Sequence, residues 1–119
     1  MAVTQKRLGG PSQLTASSAV YYTTPINTTT IVKQIILTNT TSSSKTVTVR
    51  LKPYGISEAA THDIISGMTI NANETMAFNC SLVLNNNGST ANATNSDQLT
   101  ALCSSATSVN ITVVGIEEA

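Results

Sequence analysis

Apolar and polar residues alternate with a period of two in several separate stretches of this chain. From Thr46 to Lys52, Val47, Val49 and Leu51 point one way and Thr46, Thr48 and Arg50 the other. One apolar and one polar face is the pattern of a strand in an antiparallel sheet. In Glu74–Cys80, Met76, Phe78 and Cys80 alternate with Thr75, Ala77 and Asn79, and Leu82-Val83-Leu84 follow after Ser81. Leu99, Ala101 and Cys103 alternate with Thr100 and Leu102, and Val109, Ile111 and Val113 share a face near the end. Val114 and Ile116 then fall out of phase around Gly115, which predicts a β-bulge there. Ile31–Asn39 is the strongest strand: Ile31, Lys33, Ile35 and Leu37 lie on one face, Val32, Gln34 and Ile36 on the other. Aliphatics on both faces predict a central position. Shorter candidates are Ser12–Thr15, Ala19–Thr23, and the pair Ile64-Ile65 and Met68-Thr69-Ile70 around Ser66-Gly67.

Turn chemistry separates these stretches. Pro25 to Thr29, Thr40 to Lys45, Pro53-Tyr54-Gly55, Asn71-Ala72-Asn73 and Ser104 to Thr107 are rich in the residues that bend a chain. Ser57-Glu58-Ala59-Ala60 could form a single helical turn. No stretch sustains a helical period. About eight strands joined by turns predict an all-β fold, an antiparallel β-sandwich or jelly-roll-like arrangement. Asn85 to Ser96 holds no apolar residue larger than alanine, so it reads as a long polar loop with a turn at Asn87-Gly88.

Residues 1–13 show neither period, and Gly9-Gly10-Pro11 interrupts the chain. The expected organisation is a flexible, extended N-terminal arm over residues 1–13 and one β-sandwich domain over 14–119. The arm is either a frayed end or a tether that orders on a neighbouring subunit. The candidate partner contacts are therefore Lys6, Arg7 and Leu8 in the arm, and Asn86, Asn87 and Gly88 in the polar loop.

Composition sharpens this picture. The 119 residues include 20 Thr, 14 Ser and 11 Asn, and only 10% are charged, against about 25% in an ordinary soluble domain. The net charge is +0 and aromatics make up 3%. The core must be aliphatic, and the surface neutral and rich in hydroxyls. Such a surface protects poorly against self-association, which points to a subunit that works packed against others. Every basic residue (Lys6, Arg7, Lys33, Lys45, Arg50, Lys52) precedes every acidic one (Glu58, Asp63, Glu74, Asp97, Glu117, Glu118). This is either chance or the basis of contacts between unlike patches of two subunits.

Catalytic chemistry is not visible. The lone histidine, His62, sits beside Asp63 in a loop. There is no nucleophile elbow, phosphate loop, dinucleotide fingerprint or Cys/His metal spacing. The expectation is no enzyme, no cofactor and no metal. There is no basic excess or RNA-binding motif for nucleic acid, and no apolar run of the length needed to span a bilayer. The start lacks the apolar segment of a secretory signal, so the seven Asn-x-Ser/Thr triplets are not read as glycosylated. Asp97 reads as a turn cap. Cys80 and Cys103 read as buried free thiols, with a cystine between adjacent strands as the alternative.

One set of residues carries a resemblance. Tyr22-Thr23-Thr24-Pro25 leads into Ile31-Val32-Lys33, followed by Leu37-Thr38-Asn39-Thr40, then Asn73-Glu74-Thr75. The chain closes with Val109-Asn110-Ile111-Thr112-Val113-Val114-Gly115-Ile116-Glu117. Over roughly Val20 to Glu117 this order resembles small β-sandwich structural proteins of tailed-bacteriophage virions. The resemblance implies a non-enzymatic virion protein, assembled in the bacterial host cytoplasm. It would be an accessory head decoration or cement subunit. Its partners would be its own copies and other virion proteins, such as a major capsid or tail protein. The alternative is a tail or tail-fibre module for host recognition or adsorption, with Asn85–Ser96 touching the receptor.

Overall fold

The computed structural model describes residues 3–88, 90–92 and 94–118. Eight strands follow one another: β1 (Val3–Gln13), β2 (Ala19–Thr23), β3 (Thr29–Asn39), β4 (Lys45–Lys52), β5 (Asp63–Ile70), β6 (Thr75–Asn85), β7 (Gln98–Cys103) and β8 (Val109–Glu118). They form two four-stranded sheets, ordered β1-β8-β3-β6 and β2-β7-β4-β5, with antiparallel pairing throughout. Consecutive strands mostly change sheet, which is the jelly-roll form of the sandwich. A single 3-10 turn, Ala60–His62, lies where one helical turn was expected, slightly later in the chain.

The alternation in the sequence sets which side chains meet between the sheets. Val47 and Val49 of β4, Leu99, Ala101 and Cys103 of β7, and Val109, Ile111 and Val113 of β8 are all buried. Leu14, Ile70 and Leu84 close the ends. β3 lies between β8 and β6, the central place its two apolar faces predict.

Two expectations are corrected. Residues 3–13 are not a free arm: they form β1, paired with β8 from Val3 opposite Glu118 to Gln13 opposite Asn110. Side-chain periodicity fails there because most of β1 is exposed on both faces; backbone pairing holds it. Gly9-Gly10 permits that pairing instead of breaking it. A Cβ on Gly10 would lie 2.1 Å from the Ile111 carbonyl oxygen, and one on Gly9 2.5 Å from that of Tyr21.

The second correction concerns the bulge. β8 alternates without a break, with Val113 and Gly115 inward and Val114 and Ile116 on the outer face. The extra residue is in β3: Val32 pairs with Gly115 and Gln34 with Val114, leaving Lys33 over. Consequently Val32 points inward with Thr30, but after Lys33 the inward set becomes Ile35, Leu37 and Asn39. The uninterrupted alternation Ile31-Lys33-Ile35 therefore did not describe one face.

Candidate interaction surfaces

Five of the charged residues, Lys6, Arg50, Glu58, Asp63 and Glu117, pair inside the subunit. Lys6 Nζ meets Glu117 Oε1 at 3.1 Å, Arg50 Nε meets Asp63 Oδ1 at 2.6 Å, and Arg50 Nη1 approaches Glu58 Oε2 at 3.5 Å. Thr100 and Ser18 also donate to Glu58. Basic early residues thus pair with acidic late ones because sandwich strands from the two halves of the chain interleave. The Arg50 hydrogen bond holds Asp63 below the usual carboxylate range. Burial pulls Glu58 upward, but its hydrogen bonds from Thr100 and Ser18 and the Arg50 charge outweigh that and hold it low.

The residues of the recurring motifs are scaffold. Tyr22 donates its hydroxyl to Glu117 Oε2 at 2.5 Å and lies 2.7 Å from Thr30 Oγ1. Burial, then the Glu117 carboxylate, push its phenol above the usual tyrosine range. Thr24 is buried and donates to the Asp97 carbonyl. Asp97 caps two turns, accepting from Tyr54 N and Asn85 N. His62 Nδ1 accepts from Ala59 N within its own turn. Among the described residues, no group of three or more His, Cys, Asp or Glu could hold a metal ion. No helix there is long and apolar enough to cross a membrane.

The six candidate contacts fall in two separate places. Lys6 and Leu8 are on β1; Lys6 is tied to Glu117, and Leu8 packs on the core beside Gly115. Arg7 is exposed. Asn86, Asn87 and Gly88 sit past the end of β6, on the opposite edge of the same sheet. Two strands intervene, so the groups are three interstrand steps apart across the sheet, about 14 Å, and are further offset along the strands. Asn86 is a structural pin, not a free contact: its Nδ2 donates to Thr24 O, Thr90 O and Ser96 Oγ. Asn87 is exposed and its Nδ2 donates to Asn95 Oδ1. Gly88, with φ +90°, donates its N–H to Asn86 Oδ1.

Three surfaces escaped the sequence reading. At the end that carries the polar loop, Ile26, Tyr54 and Ile56 are exposed on neighbouring turns. On the outer face of the first sheet, Ile116, Ile31 and Val83 stand opposite one another across β8, β3 and β6. Between the edge strands β5 and β6 the sandwich gapes: a mostly apolar groove of about 250 Å³ is lined by Ile35, Ile64, Ile65, Phe78, Cys80 and Leu82, with Asn79 as its polar member. Cys80 and Cys103 are both free thiols. They belong to β6 and β7, in different sheets, so they are not on adjacent strands. Cys103 is buried; Cys80 is half-buried in the groove, and burial pushes its thiol up.

No protein-family model matches the chain, and no curated protein matches it. Solved structures do. The structure of infectious bursal disease virus Gx strain aligns over 98% of this chain with a TM-score of 0.60 and 11% identity. The VP2 subviral particle of the same virus gives a TM-score of 0.52 at 13% identity. A Bacillus endospore appendage, one of a family of disulfide-linked pili, aligns over 97% of this chain with a TM-score of 0.55 and 14% identity. The likeness is one of fold. This chain spans about a third of the viral chains, 32% in each case, but 86% of the appendage chain.

Proposed function

We propose that this protein is a non-enzymatic structural subunit of a phage particle, an accessory head decoration or cement protein. It would bind other virion proteins through the Lys6–Leu8 region of β1 and the low-charge outer face of β8, β3 and β6. The observation that carries this reading is how the polar chemistry is used. Asn39, Thr24, Asp97, Glu117 and Arg50 are spent on internal hydrogen bonds and ion pairs. What is left outside is a sheet face of low charge bearing Ile116, Ile31 and Val83, with Lys33 bonded to Ser81 beside them, close to the composition of an interface centre. The jelly-roll fold it shares with a viral capsid protein and a pilus subunit is compatible with that work.

The test is the subunit's place in an image of the intact particle. Density on the icosahedral head lattice is the expected result. Density confined to the tail axis would overturn the head assignment. It would favour the second reading, a tail or fibre module for adsorption. That reading draws on Ile26, Tyr54 and Ile56 clustered with the polar loop at one end. Absence from the particle would overturn both.

A further inference from the structure

We propose that β6 recognises a second copy of itself. Two subunits pair their β6 strands antiparallel about a two-fold axis through Cys80, and their four-stranded sheets become one sheet of eight. The inference concerns the isolated protein in solution and does not depend on where it sits in a particle.

Each of the four sheet edges exposes unpaired backbone groups, and three of them are blunted in the ways natural edges are. β1 carries Lys6, Arg7 and Pro11 and has two register shifts against β8. β2 is only five residues long. β5 contains Asp63 and Gly67, the latter at φ +57°, with register shifts against β4. β6 has eleven residues and no charge, proline or glycine. Its one irregularity sets Cys80 and Ser81 together opposite Lys33 of β3. Inward and outward side chains alternate without a break from Thr75 to Asn85.

The identity of the partner comes from the order of residues on that edge. Full antiparallel overlap of two β6 strands places Cys80 opposite the other Cys80. It also places Phe78 opposite Leu82 and Met76 opposite Leu84, all inward. On the outer face, Ala77 meets Val83, Asn79 meets Ser81, and Thr75 meets Asn85. Every apolar residue meets an apolar one, and every polar residue a polar one. The strand is a palindrome of polarity, so it is its own complement. With no charge on it, self-pairing brings no like charges together. Inward residues stay with inward residues, which a slip by one would undo. The pairing also covers the open groove where Ile64 is now 39% exposed. A two-fold contact of one patch with itself closes at the dimer and does not propagate.

The register makes a sharp test. Directly opposed residues in an antiparallel pair have Cα atoms about 4.5–5.5 Å apart, within the span a disulfide bridges. Diamide takes two electrons and two protons from the paired thiols and leaves one S–S bond. The full chain, and Cys103→Ser, should sediment as dimers. Diamide or a short bismaleimide should link them covalently, while Cys80→Ser should dimerise without linking. Ala77→Glu alone should give monomer, because each glutamate meets Val83. Adding Val83→Lys should restore the dimer, since Ala77→Glu and Val83→Lys then face each other twice across the axis. A monomeric full chain would overturn the proposal. So would open-ended polymer, or a dimer that neither reagent links through Cys80.

Discussion

The side-chain amide of Asn39 donates to the backbone carbonyl of Ile70 over 3.1 Å, across the gap between the two sheets. The same nitrogen reaches Ser43 O and Asn71 O, and Oδ1 accepts from Thr41 N and Thr41 Oγ1. One fully buried amide therefore ties the β3–β4 turn to the end of β5. Asn39→Ala should cost on the order of 1–3 kcal/mol, because buried carbonyls lose their donor. Asn39→Asp should cost more, since a carboxylate would face those carbonyls without a donor. Urea denaturation of the three proteins checks the order.

Val49 and Ile111 are buried on facing sheets. Replacing either with alanine should destabilise by about 1–4 kcal/mol through lost transfer energy and the cavity left behind. A thermal midpoint lower by several degrees is the expected reading. An unchanged midpoint would contradict the assigned faces.

Gly115 lies where β8 passes the extra residue of β3. A Cβ there would sit 2.2 Å from Ile31 O and 2.9 Å from Leu8 Cδ1. The first of these is backbone and cannot rotate away. Gly115→Ala should cost at least about 1–3 kcal/mol, the range for overpacking. Equilibrium unfolding of the variant tests it, with full retention of stability as the contrary result.

Acid should weaken the fold through Arg50. Asp63 and Glu58 are both held below their ordinary range. Their contribution is present above the unfolded carboxylate pKa of about 4 and is lost as pH falls through the lowered folded values. Thermal midpoints measured down this range should drop for the parent. Arg50→Met should start lower and show a shallower drop. Parallel curves would indicate that Arg50 does not set the acid sensitivity.

Removing residues 3–10 should now lower the melting temperature. The sequence alone suggests a dispensable arm. Paired as β1, the segment covers the β8 edge, packs Leu8 on the core and holds Glu117 through Lys6. A truncated chain that melts with the full one would return these residues to the status of a frayed end.

How much of this was legible depends on what side chains report. β4 and β8 bury the residues their alternation indicates, because each has one core face and one outer face. β1 was not legible: it buries almost nothing, and backbone pairing leaves no side-chain period. The bulge at Lys33 was hidden for the opposite reason. The stretch Ile31 to Leu37 holds apolar residues at both parities, so either phase reads as a strand. Among the candidate contacts, nothing in the sequence marked Asn86 as a pin, since its three acceptors come from residues 24, 90 and 96. The β6 edge could have been noticed. The run from Thr75 to Asn85 is the longest strand without a charge, and its polarity reads the same in both directions.

The pairing of β1 with β8 has a consequence for how the protein is made. On the ribosome, β1 emerges first and its partner last, about a hundred residues later. β3 also needs β8 on one side, so until then the first sheet can hold only β3 against β6. A nascent chain therefore carries β1 unpaired until the other seven strands have been made. Strands that wait for distant partners fold slowly and stay exposed to other chains. In a crowded polysome, the β8 that first reaches a given β1 need not belong to the same molecule.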